Sequence, residues 1–282
     1  MDNEKTIAYQ GRPGAYSHLA CKKAFPNCTP ISCETFEEVF EQTENKKSDM
    51  AFIPIENSQA GRVADIHNLL PKSNLLIIGE YFHQVRHQLL CLKESSIEKI
   101  VSAESHFHAL AQCREFLTTN KIKPVLSSDT AGAAEEISKS SDLTRAAIAS
   151  ELAAEIYGLK ILKKNIEDAY HNTTRFLLMN HKSTERKIVN VKYITSFLFK
   201  LRNISSALYK VLGGFSSNNV NMLKIESYML DGSFTATQFY IDIEGHPEDE
   251  NVKLAIEELG FFSKEVKILG SYPADRFRSL SS

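Results

Sequence analysis

The chain has 282 residues, 43% of them hydrophobic and 24% charged, with a formal net charge of -2. That length suggests about two domains of ordinary size, and the composition excludes a disordered chain. No Lys or Arg block exceeds a pair such as Lys22-Lys23 or Lys163-Lys164, and no apolar run approaches a membrane span, so the expected partner is a small molecule, not nucleic acid or a bilayer.

The polar start, Met1 to Thr6, lacks the apolar run of a signal peptide. The five cysteines (21, 28, 33, 91 and 113) are odd in number and form no Cys-x-x-Cys pair. Reduced thiols in the cytoplasm are expected.

In chain order, Thr6 to Tyr9 reads as an opening strand. Gly11 to Ser17 follows it as a glycine-containing turn into a helix. Thr35-Phe36-Glu37-Glu38 reads as a capping-box helix start. Residues 49–53 and 75–78 read as buried strands, as do 97–101, 123–126 and 146–149. Ala109 to Leu117 places Leu110, Cys113, Phe116 and Leu117 on one helical face. Strands alternating with helices imply a largely parallel sheet covered on both sides. Residues 181–187 are polar and unperiodic, and read as an interdomain linker. Beyond them come a strand (193–201), a helix (205–215), two strands (222–229 and 237–243) joined at Asp231-Gly232, a helix (248–259) and a last strand (264–269). That βαββαβ order is the ferredoxin-like plan, whose open sheet favours pairing with a second copy.

Five polar segments sit where strands of the first region end, the usual ligand side of open α/β sheets. The first, Gly11 to Ser17, suits an anion at a helix N-terminus or a plain turn. Asn57 and Ser58 suit a cap or a substrate carboxylate or hydroxyl, and Asp129-Thr130 suits a cap. Ser105 to His108 opens a helix, but histidines two apart share no helix face. His83 and His87 lie in a strand-like stretch, too far apart to chelate, so no metal site is expected. Asn172 to Phe176 gathers an amide, two hydroxyls, a guanidinium and a ring at a strand mouth, and Arg recognises carboxylates bidentately.

Together these segments resemble the prephenate dehydratase family over about residues 6–179. The resemblance is carried by Ile53 to Ser58, Ala109 to Cys113, Ala149-Ser150 with Tyr157 to Leu159, and above all Asn172 to Phe176. Residues 193–272 resemble the ACT regulatory domain attached to these enzymes, through Ile225 to Ser227, Glu244 to His246 and Leu269 to Pro273.

The resemblance implies a two-lobed, periplasmic-binding-protein-like α/β catalytic domain over 5–180, with lobes of 5–77 plus 160–180 and of 80–158. A linker over 181–191 and an ACT domain over 192–273 would follow, with no chorismate mutase module in front. It implies decarboxylative dehydration of prephenate to phenylpyruvate, in phenylalanine biosynthesis, without a cofactor. Arogenate dehydration and a non-catalytic sensor are the alternatives.

By the same resemblance Thr174 donates a hydrogen to the departing hydroxyl. Asn57, Ser58, Thr130, Ser150, Asn172, Arg175 and Phe176 contact substrate. Ala207, Leu208, Glu226 and Ser227 bind L-phenylalanine between the ACT domains of a dimer or tetramer. Departures fall at Asp129, where many relatives have Ser, and at Phe107-His108, in place of a common Pro-Gln. Ser205-Ser206 replaces Pro-Gly, and Tyr228-Met229 replaces Arg-Pro. The last two changes bear on feedback control and leave catalysis untouched.

Overall fold

A computed structural model describes residues 5–183, 186, 191–229 and 236–280. Two compact units emerge: Met1–Ile66 with Phe82–Phe176, and His67–Tyr81 with Leu177–Ser282.

The strands of the first half are β1 (Thr6–Gln10), β2 (Thr29–Cys33), β3 (Met50–Asn57), β4 (Gly61–Arg62), β5 (Leu76–Gln84), β6 (Gln88–Cys91), β7 (Ser102–Ser105), β8 (Lys123–Leu126), β9 (Arg145–Ala149), β10 (Lys160–Lys163) and β11 (Thr173–Asn180). The helices are α1 (Tyr16–Ala24), α2 (Phe36–Glu44), α3 (Ala64–Leu69), α4 (Phe107–Ala111), α5 (Arg114–Thr119), α6 (Thr130–Lys139) and α7 (Glu151–Tyr157).

The strand-helix alternation suggests a parallel sheet and the resemblance two lobes; there are two sheets, ordered β2-β1-β3-β11-β5 and β10-β6-β9-β7-β8. Pairing is parallel at β1–β2, β1–β3, β7–β8 and β7–β9. Strand β3 is buried almost throughout, as a central strand requires. Its Pro54 lies past the β1 ladder, which ends at Tyr9–Phe52, so the missing N–H breaks no bond there.

Several local readings shift. Residues 97–99 form a 3-10 turn ahead of β7, because Ile97 and Ile100 repeat at a turn's spacing and not a strand's. The helix read over 109–117 is broken into α4 and α5. The Gln112 carbonyl accepts from Asp168 N–H (2.7 Å) while the Asp168 carboxylate accepts from Glu115 N–H (3.1 Å). At α2, Thr35 caps Glu38 N–H as the capping box requires, but Glu38 turns back to Glu34 N–H. Strand β10 belongs to the second sheet, antiparallel to β6, so the chain returns to the first sheet only after residue 163.

The second unit holds β12 (Tyr193–Leu201), α8 (Ala207–Ser217), β13 (Met222–Met229), β14 (Ala236–Glu244), α9 (Glu250–Phe262), β15 (Ser263–Pro273) and α10 (Phe277–Leu280). The βαββαβ order is as read, on an antiparallel sheet β13-β14-β12-β15. Phe197, Phe199, Ile241 and Ile243 pack on Val211, Phe215, Val252 and Leu259 of the helices. The Asp231-Gly232 turn and much of the linker reading lie outside the described residues. Arg186, within that linker, pairs with Glu248 and Asp249.

Within this unit β15 approaches the 67–81 segment closely. A Cβ at Gly270 would stand 2.1 Å from the Ile77 carbonyl oxygen, a backbone atom that no rotamer change can move. Gly270→Ala is expected to destabilise by about 3 kcal/mol, the upper end for overpacking. The corresponding fall in Tm, read by calorimetry, is roughly 6–12 °C.

Candidate active site

The chain passes between the two sheets of the first half through two crossing segments, at 85–87 and 164–172. Val85 N–H donates to Asn172 O (2.8 Å) and Ile166 N–H to His87 O (2.9 Å). Glu167 accepts from Arg86 Nη1 (2.6 Å) and His87 N–H (2.9 Å). Beside this hinge lies a cleft of about 270 Å³, whose lining includes Tyr16, Asn57, His87, His106, His108, Gln112, Thr130, Asn172 and Thr174. A larger cavity of about 900 Å³ adjoins it through Tyr16, Asp129 and Thr130.

One hydrogen-bonded chain runs along the cleft. At the end of β3, Asn57 Oδ1 accepts from Gln59 N–H (2.9 Å) and Ala60 N–H (2.8 Å). Two backbone donors on the oxygen fix the amide's orientation, so the NH2 faces β11. It donates to Thr174 Oγ1 (2.9 Å) and Asn172 Oδ1 (2.7 Å). Asn172 Nδ2 donates to Gln112 Oε1 (2.8 Å), which also receives His87 Nε2–H (2.7 Å). His87 Nδ1 is then an acceptor, met by the Tyr16 hydroxyl at 2.6 Å. Burial lowers the His87 pKa and raises that of Tyr16, so both stay neutral.

The consequence falls on Thr174. A threonine hydroxyl has one proton and two lone pairs. Asn57 occupies a lone pair, and among the described residues nothing accepts the Thr174 proton. It is left to the cleft.

The other expected contacts divide. Thr130, in the first turn of α6, lines both cavities, with Asp129 capping Gly132 N–H (2.6 Å). Ser58 does not reach the cleft as a free group. Its hydroxyl donates to His171 O (2.7 Å) and accepts from Thr173 N–H (2.9 Å), clamping the entrance to β11. Ser150 is fully buried, capping α7 through Ala153 N–H and donating to Gly14 O (2.6 Å). Arg175 is 2% exposed and bound to Glu56 Oε1 at 3.0 Å. As the next residue of a strand it points away from Thr174. Phe176 stacks on Phe52, centroids 4.5 Å apart, as core. Tyr16, His87 and Gln112 were not assigned to the site from sequence. The only trace of Gln112 is a polar residue inside the otherwise apolar run Ala109 to Cys113.

In the second unit, Ala207 and Leu208 open α8, Ala207 buried and Leu208 packed on the core, while Glu226 and Ser227 lie on the edge strand β13. Glu226 pairs with Lys224 at 3.0 Å. Ser206 holds a left-handed φ of 61°, the conformation a glycine takes without strain. Tyr228 turns its hydroxyl onto His67 Nδ1.

The family model described as prephenate dehydratase matches residues 7–184. The chain is 46% identical, over 99% of both lengths, to a bifunctional N-acyl-homoserine lactone acylase/prephenate dehydratase of Komagataeibacter europaeus. It is 39% identical to arogenate dehydratase/prephenate dehydratase 2 of Arabidopsis thaliana, over 95% of this chain and 73% of that one. The crystal structure of prephenate dehydratase from Arthrobacter aurescens, in complex with L-Phe, superposes with a TM-score of 0.86 at 28% identity. That likeness covers 95% of this chain and 89% of the other. The chain belongs to the prephenate dehydratase family.

Proposed function

We propose that this protein is a prephenate dehydratase, a hydro-lyase that converts prephenate to phenylpyruvate, and that Thr174 is its hydrogen donor. The observation that carries the assignment of Thr174 is the Asn57 amide locked onto its oxygen, with the hydroxyl proton left facing the cleft. When the ring carboxylate leaves as CO2, the electron pair of the broken C–C bond enters the ring. The ring C–O bond then breaks, and the departing oxygen takes up a proton to leave as water. Aromatisation drives the reaction. Thr174 meets the negative charge growing on that oxygen, and solvent supplies the net proton. The network Tyr16–His87–Gln112–Asn172–Asn57 holds the donor without charge, so rate comes from orientation and preorganised dipoles.

A sensor has no need of an uncommitted hydroxyl held this way. Phenylpyruvate formation from prephenate by the purified chain tests the reading, with arogenate in parallel to fix the substrate. Absence of turnover with both rejects it.

The match to the K. europaeus protein favours a second reading, hydrolysis of an N-acyl-homoserine lactone. The hydroxyls of Ser58 and Ser150 are bound to backbone carbonyls, which argues against an activated serine nucleophile at those positions. Release of homoserine lactone by the same preparation decides it.

The C-terminal unit fits an ACT domain that assembles the protein into dimers or tetramers and receives L-phenylalanine, and the five free thiols fit the cytoplasm. Ser206 puts a side chain where a glycine would admit a ligand to the backbone. Isothermal titration is expected to show weaker L-phenylalanine binding than in a relative with glycine there, and Ser206→Gly to tighten it. Unchanged affinity in Ser206→Gly rejects this account of the site.

A further inference from the structure

Prephenate is a dianion, yet among the described residues no Lys or Arg lines the cleft that holds Thr174. Arg175 is committed to Glu56 beneath the surface. Arg12, in the adjoining cavity, is bound to Glu135 at 2.9 Å and to Asp129 at 3.5 Å. Among the described residues, the groups in the cleft able to carry positive charge are the imidazoles of His87, His106 and His108.

Two of these are held neutral. His87 is locked between Tyr16 and Gln112. His106 Nδ1 accepts the backbone N–H of His108 (3.3 Å), so its proton sits on Nε2. Burial, and then His108, hold the His106 pKa below its ordinary value. The His108 ring, by contrast, is exposed, 5.2 Å from the His106 ring and edge-on to Phe107. The remaining charge facing this corner is the Asp129 carboxylate. It is already occupied by Gly132 N–H at the start of α6 and by Arg12.

We propose that His108 is a specificity-determining residue, its imidazolium receiving the side-chain carboxylate of the substrate, the one not lost as CO2, at the mouth of the cleft. The proposal rests on the dehydratase reading above. A glutamine at this position, common in relatives, could donate a hydrogen bond but would carry no charge. Because the contact is equally present in substrate and transition state, it acts on KM and leaves kcat alone.

The test is steady-state kinetics of the full chain with prephenate, on wild type, His108→Gln and His108→Lys. Both substitutions fall on an exposed side chain and spare the core. His108→Gln is expected to raise KM about fivefold with kcat within about twofold, and His108→Lys, which restores a cation, to keep KM within about twofold of wild type. Wild-type KM in His108→Gln, or equal KM in the two variants, overturns the proposal while the dehydratase reading stands. No turnover by wild type overturns both.

Discussion

Replacing Thr174 by alanine is expected to lower kcat for prephenate at least about 100-fold, the lower end for losing a positioned proton donor. KM should change little, because the hydroxyl's contribution grows only as charge develops on the leaving oxygen. Thr174→Ser, which keeps the oxygen, should retain much of the rate. A hydroxyl donor in a neutral network also predicts a flat kcat between about pH 6 and 8, since the one histidine of the network is held neutral by burial. Initial rates of the three proteins measure this. Near-normal kcat in Thr174→Ala removes the residue from the mechanism.

Asn57→Ala is expected to be the next most damaging change, lowering kcat roughly 10–100-fold through a misdirected donor. The amide does three things at once. It caps Gln59 and Ala60, joins Asn172, and fills the Thr174 lone pair that would otherwise draw in another donor. Some loss of stability should accompany the rate loss, because Asn172 is buried and loses a partner. Asn57→Asp keeps the oxygen that accepts from Gln59 and Ala60 but removes the NH2. It sets a carboxylate oxygen against the Asn172 Oδ1, so it should be slow and lose at least as much stability as Asn57→Ala, and thermal melts followed by circular dichroism beside kcat separate the two effects.

Thr174, Asn57 and Asn172 stand out in the sequence as polar residues at strand ends, with their roles supplied by likeness to the family, and hydrogen bonds bring the three together. Arg175 and Phe176 belong to the same motif but not to the cleft. Residues 173–180 form a strand, so neighbours alternate sides: Arg175 turns to Glu56, and Phe176, one pleat deeper, reaches Phe52. Gln112 could not have been placed, because the break between α4 and α5 that frees it is made by Asp168, remote in sequence. His87 read as half of an improbable metal pair because its partners, Tyr16 and Gln112, come from two other elements. The C-terminal βαββαβ order was legible throughout, because periodicity switched cleanly between helix and strand. The division of the first half into two sheets rested on likeness alone, as periodicity does not say which strands share a sheet.

The central claim is that the Asn57 amide acts through the Thr174 hydroxyl on the departing oxygen of prephenate. A double-mutant cycle on kcat tests it most directly, with Thr174→Ala, Asn57→Ala and the pair assayed by phenylpyruvate formation. The expected result is strong non-additivity: with the hydroxyl gone there is nothing left to orient, so the double variant should fall within about threefold of Thr174→Ala alone. Losses that simply multiply, reaching roughly 10³-fold or more in the double variant, would contradict it and make the two residues independent contributors.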